Sequence, residues 1–406
     1  MKKIDNLILF IYIDSLDFNR LGLLRGKTSF FRSIDVTIPL QNIPGYSFGI
    51  QSTLLTGKLP QEHKHWLPYI YLEGEQKEKK GDTKRIRRTL LPLKHLFPLK
   101  LRFESKVIEF LFTQSNNILN RFATGKRALL SSMPIEWREK IHVYPYYYMN
   151  ELPFFKMFAN EMKNRGCHIC YMGHSLNNCI RKFASTISDF YEKSHEKALL
   201  FLYIDDLDGI GHKHGVFTDK YSNMLLLIDF FLSKLFKTCK NISKDLTFLI
   251  FSDHGMCNTA DKVNLIGMLK HFVSYIDLAV IDATMAFIWL KDELRTSDII
   301  AALKLQLRNQ AIIFTPMFNK RELEKYGIYF KSREYGDIII QLRPCKTFYP
   351  NFYSSLQWLK GLHGFWPTEE VQRSFLVVRS SAAYDELLHF IRSVTDIRNL
   401  LHKLVQ

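Results

Sequence analysis

Three apolar runs in this chain each stop on an acid, or on an acid and a histidine, and no other feature constrains the fold as much. Leu7 to Ile13 ends at Asp14. Leu199 to Ile204 runs into Asp205-Asp206-Leu207-Asp208-Gly209-Ile210-Gly211-His212, and Leu246 to Phe251 into Ser252-Asp253-His254-Gly255-Met256. Short apolar runs bounded by polar residues read as central strands buried on both faces, and His168 to Met172 is a fourth. Pro153 to Asn164 and Tyr221 to Thr238 carry apolar residues at three- and four-residue intervals, the pattern of crossover helices. The expected fold class is therefore α/β, a mostly parallel central sheet with helices on both faces and inserted cap segments.

In such sheets ligands collect beyond the carboxyl ends of the strands. A strand-end aspartate taken singly is more often a helix cap or turn former. Together, Asp14, Asp208 with His212, and Asp253 with His254 offer carboxylate and imidazole, the ordinary ligands of zinc and manganese. Converging on one sheet edge, they could hold two ions. Asp208 and His212 are four apart and can share one face of a turn or helix. Gly209, Gly211, Gly215 and Gly255 let the chain turn tightly around them.

Pro44-Gly45-Tyr46-Ser47-Phe48-Gly49 leads toward Thr56-Gly57 as a loop entering a helix. Backbone N–H groups at a helix start favour phosphate, and a hydroxyl held there beside a divalent cation can act as a nucleophile. Ser47 is that candidate, although a lone serine at such a place is more often an N-cap.

These pieces, in this order, resemble the alkaline phosphatase superfamily, most closely its type I phosphodiesterase / nucleotide pyrophosphatase branch. Ser47 stands before Thr53-Leu54-Leu55-Thr56-Gly57-Lys58-Leu59-Pro60-Gln61-Glu62-His63, which matches that branch's T-L-x-T-G-x-x-P-x-x-H element. Asp208 to His212 matches its D-x-x-G-H, Ser252 to Met256 its S-D-H-G-M, and Leu362-His363-Gly364 its late T-H-G. The resemblance implies one zinc (manganese as alternative) on Asp208, His212 and His363, and a second on Asp14, Ser47, Asp253 and His254. It also implies in-line attack by Ser47 and a covalent phosphoserine-type intermediate that water then hydrolyses, with two cations sharing the charge. His63, His65 and His214 have no ligand role in it. Two departures stand out: Ile50 occupies the place of an Asn that holds a phosphate oxygen, with Gln51 beside it as a substrate-binding substitute, and Leu362 replaces the Thr before the last histidine.

The implied activity is cleavage of phosphodiester or phosphoanhydride bonds, with a phosphate-ester small molecule, possibly a nucleotide, as substrate. Phosphomonoester hydrolysis is the alternative within the superfamily. A sulfatase is disfavoured because Ser47-Phe48-Gly49-Ile50-Gln51 lacks the C/S-x-P-x-R pattern. The other class is a basic nucleic-acid or membrane-surface binding protein, for which the net charge of +16 and the run Lys77 to Arg88 speak. Glu78 and Asp82 interrupt that run, so a solvated face is favoured.

The expected organisation is 1–66 as the first part of the core, 67–148 as an inserted helical, basic cap, 149–281 as the second part, 282–358 as a small α+β insertion, and 359–406 as a final core segment with a C-terminal helix. No apolar stretch reaches the roughly 18 to 20 residues that span a bilayer. Six scattered cysteines do not form a disulfide framework, and Cys167-x-x-Cys170 reads as small hydrophobes in a strand, so a cytoplasmic location is expected. Tyr146 to Tyr148 and Phe365-Trp366 could stack on a base or sugar, though such residues more often pack the core or cap.

Overall fold

The computed structural model describes residues 3–20, 30–31, 36–72, 133, 137, 140–146, 148–193, 196–352, 359–380 and 388–406. Its centre is a six-stranded sheet of β1 (Ile4–Ile13), β2 (Val36–Leu40), β3 (Cys167–Tyr171), β4 (Lys197–Ile204), β5 (Ser243–Ser252) and β6 (Ser374–Ser380), in the order β2-β6-β5-β1-β4-β3. β5, β1, β4 and β3 are mutually parallel, whereas β6 runs antiparallel to both β5 and β2. The sheet is thus mixed with a parallel centre. The carboxyl ends of β1, β4 and β5 lie side by side, with Tyr12 paired to both Tyr203 and Phe251.

Alternation along β1 divides the core in two. Ile8, Phe10 and Tyr12 face α1 (Ser47–Thr56), α2 (Pro153–Asn164) and the C-terminal helix, while Leu7, Leu9, Ile11 and Ile13 face the opposite layer. That opposite layer is built by α3 (Leu176–Lys193), α4 (Asp206–His214) and α5 (Asp219–Ile242), with Leu207, Leu225, Ile228 and Leu232 fully or nearly fully buried. α6 (Asp396–Val405) packs Leu400 and Leu401 on the α1 side. Each such side chain contributes roughly 1.5–3 kcal/mol on burial. Helices therefore cover both faces, as a run apolar on every residue requires.

Edge strand β2 and its inner neighbour β6 went beyond the sequence reading. β2 contains Pro39, which cannot donate to a ladder and is tolerated because β2 is the last strand. Cys167 and Cys170 point to opposite faces of β3, one into each core layer, and all six cysteines are free thiols.

A second sheet of four antiparallel strands runs in the order Ile276–Ile281, Met285–Leu290, Ile338–Leu342, Ala311–Phe314. The expected boundary at 282 falls in the turn of a hairpin, with Ile276–Ile281 paired antiparallel to Met285–Leu290. At the expected insertion 67–148, Tyr69–Tyr71 and Ile141–Val143 form an antiparallel ribbon that brings its two ends together. The basic run Lys77 to Arg88 lies outside the described residues. Among the described residues no helix is long and apolar enough to cross a membrane.

The start of α1 is fixed by close packing. A β-carbon on Gly49 would sit 2.4 Å from the Trp66 carbonyl oxygen, so only glycine lets the first turn approach that backbone. The Trp66 indole is itself anchored by its N–H to the Pro44 carbonyl at 2.7 Å. Gly49→Ala is expected to cost about 1–3 kcal/mol through forced displacement, read as a lower urea midpoint with unchanged slope; an unchanged midpoint would show that the helix start is free to move.

Candidate active site

The loops after β1, β4 and β5 deliver the expected residues to one place. Asp14 is the first residue beyond β1, and Asp253 and His254 directly follow β5. Asp208 and His212 lie one turn apart on α4, which starts two residues after β4. α4 presses against the loop after β5 so tightly that a β-carbon on Gly211 would meet the Met256 sulfur at 2.3 Å. His363 arrives from the far end of the chain on the ribbon in which Gly361 and Leu362 pair with Asn258 and Cys257. Leu362 is buried among Cys257, Ala283 and Phe365, so the residue that departs from the family pattern serves as a packing anchor for its neighbour.

Two groups of donor atoms result. In one, Asp208 Oδ1 lies 3.3 Å from His212 Nε2 and 3.2 Å from His363 Nε2, and the two imidazole nitrogens are 3.2 Å apart. Ligands bonded at roughly 2.0–2.1 Å to one tetrahedral ion stand roughly 3.3–3.4 Å from one another, so this triangle has the size that a shared zinc-like ion needs. The other group is Asp14, Asp253 and His254, with His254 Nε2 at 3.1 Å from Asp253 Oδ2 and 3.8 Å from Asp14 Oδ1. The Asp253 Oδ2 and His363 Nδ1 atoms are buried without hydrogen-bond partners, the first facing this donor cluster.

Two of the three imidazoles are oriented by backbone carbonyls. His212 Nδ1 meets the Gly361 carbonyl at 2.8 Å and His254 Nδ1 the Gly255 carbonyl at 3.0 Å. A carbonyl only accepts, so each Nδ1 carries the proton and each Nε2 turns a lone pair toward its cluster.

Ser47 is the first residue of α1, and its neighbour Tyr46 is the N-cap without a side-chain cap bond. The hydroxyl is thus not consumed by capping. It donates to His254 Nε2 at 3.0 Å and lies 3.4 Å from Asp14 Oδ1. Its loop is held against the metal-type cluster by two amides: Asn42 Nδ2 donates to the Asp253 carbonyl at 2.6 Å, and Gln372 Nε2 to the Gly45 carbonyl at 2.9 Å.

Charge crowding dominates the electrostatics. Desolvation, then Asp253 and Asp208, raise the Asp14 carboxyl well above its ordinary value. Desolvation acts the same way on Asp208, but the imidazoles of His212 and His363 outweigh it and hold the carboxyl well down. Burial and the neighbouring His254 bring His363 down to about 4, which keeps it a neutral donor at pH 7.

Gln51, expected to reach substrate, is instead turned inward: it is 6% exposed and its amide donates to the Tyr203 hydroxyl at 3.1 Å. Ile50 is fully buried in the core. Three contributors escaped the sequence reading. Tyr203 donates to Asp14 Oδ2 at 2.6 Å, but a tyrosine inside an apolar strand reads as packing. Ser15, with φ 62°, donates to Asp208 Oδ1 at 2.9 Å and lies 3.2 Å from His254 Nδ1, so it touches both groups. Tyr221 holds the Ser15 carbonyl at 2.9 Å. Of the other histidines, His63 is buried against Thr53 Oγ1 at 3.1 Å, and His65 stacks on Tyr144. Phe365 and Trp366 are buried, Trp366 against Phe314, and are not free to stack on a substrate.

A profile of the type I phosphodiesterase / nucleotide pyrophosphatase family matches residues 8–366. The chain belongs to this family. It is accordingly a phosphoric ester hydrolase of phosphodiesterase type, and the type I phosphodiesterase fold is shared with solved structures. Murine ectonucleotide pyrophosphatase / phosphodiesterase 5 superposes with a TM-score of 0.62 at 15% identity, covering 99% of this chain and 95% of that one. An inactive variant of the murine protein in complex with AMP gives 0.61 at 15% identity over 100% and 95%, and the human counterpart 0.58 at 15% over 99% and 94%. A search of curated proteins finds no match.

Tyr203→Phe tests the inner support of this phosphodiesterase site. It leaves Asp14 Oδ2 and the Gln51 amide without their buried partner, and a loss of about 1–3 kcal/mol is expected on urea unfolding. Stability equal to wild type would mean that the hydroxyl does not organise Asp14.

Proposed function

We propose that the protein cleaves phosphodiester or phosphoanhydride bonds of a nucleotide-like substrate through a covalent intermediate on Ser47, at a site holding two divalent ions, most suitably zinc. One ion is assigned to Asp208, His212 and His363, the other to Asp14, Ser47, Asp253 and His254. The observation that carries this reading is the serine hydroxyl at a helix start, 3.0 Å from His254 Nε2 and 3.4 Å from Asp14 Oδ1. Three carboxylates and three imidazoles gathered within one partly desolvated pocket repel or compete for protons unless cations neutralise them. Bound divalent ions would supply that neutralisation, lower the serine hydroxyl pKa and balance charge on the phosphoryl oxygens.

The chain's own groups do the positioning. Ser47 Oγ attacks phosphorus, the new O–P bond forms, and the ester or anhydride oxygen opposite leaves. Water then breaks the Ser47 Oγ–P bond and restores the hydroxyl. With Ile50 and Gln51 both turned inward, the phosphoryl oxygens fall to the first N–H groups of α1, which have no partner within the helix. Beside Ser47, Phe48 lies parallel to His65 at 5.8 Å and 5°, and to Tyr144 at 5.7 Å and 24°. This stack forms an aromatic wall suited to a nucleobase, in keeping with the AMP bound by the murine relative. A cytoplasmic setting belongs to the same reading, resting on the six free thiols.

Elemental analysis is expected to find zinc, and chelation to lower Tm reversibly, since ligand bound to the folded state alone stabilises it. Ser47→Ala should lower hydrolysis of bis-p-nitrophenyl phosphate and of a nucleoside-monophosphate ester by at least about 10³-fold while keeping the metal, with p-nitrophenyl phosphate cleaved poorly by both proteins. Undiminished turnover in Ser47→Ala would refute the mechanism, and preference for p-nitrophenyl phosphate would move the assignment to monoesters.

A further inference from the structure

Cys257 and Cys345 lie 88 residues apart in sequence yet touch, for the Cys345 N–H donates to Cys257 Sγ at 3.0 Å and Cys345 packs against the small apolar cluster that contains Cys257. Cys345 is half-buried and flanked by Lys346. It takes the left-handed conformation at φ 65°, unfavourable for any side chain, while its carbonyl ties down Ala260 and Asp261 at 2.7 and 3.2 Å. Glycine would serve that backbone better, so the cysteine sits there at a conformational cost. We propose that Cys345 and Cys257 are a redox-active thiol pair that a hydroperoxide closes to an intramolecular disulfide beside the ribbon carrying His363.

Cys167 and Cys179 differ in kind. Burial drives Cys167 up to about 11 and Cys179 up to about 12. Cys345 goes the other way: the hydrogen bond from Cys257 outweighs desolvation and, with Lys346, draws its thiol down to about 7. A thiol of that acidity is substantially thiolate near neutrality, and the thiolate is the nucleophile.

The chemistry balances with the hydroperoxide as the only oxidant. Cys345 thiolate attacks the terminal peroxide oxygen; an S–O bond forms, the O–O bond breaks, and the departing alkoxide takes up the proton that Cys345 released on ionising, which leaves a sulfenic acid and an alcohol. Cys257 sulfur then attacks the sulfenic sulfur, so that S–S forms, S–O breaks and hydroxide leaves with the Cys257 proton as water. Two thiols are oxidised and one peroxide is reduced.

The consequence for activity rests on the two-ion reading above. Cys257 pairs with Leu362, the residue before His363, and the adjoining Gly361 carbonyl fixes His212 Nδ1. A disulfide has narrow geometric limits, so closing it pulls Cys257 away from Leu362 and Phe365 and displaces both imidazoles.

The metal-loaded full chain, treated with hydrogen peroxide, alkylated and digested without reductant, is expected to yield one cross-linked peptide joining positions 257 and 345. Titratable thiols in the denatured protein should fall from six to four, and dithiothreitol should restore them. Cys257→Ser should leave a Cys345 sulfenic acid that dimedone traps, and Cys345→Ser should form no cross-link. Absence of the cross-link in the wild type, or a different pairing, overturns the proposal without reliance on either variant. Hydrolysis should be lost on oxidation and return with dithiothreitol; full activity in the cross-linked protein would overturn the coupling to the site. A protein inactive before oxidation would count against the phosphodiesterase reading and leave the peptide mapping decisive for the thiols.

Discussion

Like charges brought together out of water are the constraint around which the rest of this structure is arranged. Asp14, Asp208 and Asp253 converge at the ends of three adjacent strands, and their mutual repulsion adds to desolvation. The fold meets that cost with imidazoles: His254 beside Asp253, His212 and His363 beside Asp208. Asp14 lacks an imidazole as close and receives the Tyr203 hydroxyl at 2.6 Å instead. One hydroxyl offsets desolvation and the neighbouring Asp253 and Asp208 only in part, and Asp14 is the member left raised.

Parallel strand order makes this crowding unavoidable and also useful. In a sheet where β5, β1 and β4 are neighbours with the same direction, three consecutive loops must emerge on one edge. Anything polar on those loops shares a volume. The first turn of α1 opens onto the same volume because Asn42 ties its entry loop to the carbonyls of Asp253 and Gln372, and the Gln372 amide in turn holds the Gly45 carbonyl of that loop. Helix dipole, carboxylates and imidazoles thus face one another across the space that a phosphoryl group needs.

Much of this was legible in the residues because strand, loop and ligand are contiguous. Tyr203-Ile204-Asp205 to His212 states a strand end, a turn and a one-face pair in ten positions, and helix Pro153–Asn164 and strand Met285–Leu290 fall where periodicity put them. What escaped was decided by distant partners. β6 is apolar enough to be a strand, but nothing local gives its antiparallel direction. Gln51 looked available close to Ser47 because no one-dimensional pattern shows that Tyr203 waits beneath it. The hairpin that spans Asp282 was hidden for a similar reason, since its two strands announce themselves only by pairing with each other.

Ser15 shows how the two halves of the pocket are coupled. A non-glycine residue at φ 62° carries a backbone cost of order 1–3 kcal/mol. That conformation turns its N–H toward Asp253 Oδ1 at 3.3 Å and its hydroxyl toward Asp208 Oδ1 at 2.9 Å, while Tyr221 pins its carbonyl from below. The same residue therefore sets the relative position of the strand-end carboxylates from β5 and α4, and does so from the loop that follows Asp14. An error in its placement would move both donor groups at once, whereas His212 and His254, each held by its own carbonyl, correct only their own groups. The spacing between the two groups thus depends more on a strained serine than on any of the ligand-type residues themselves.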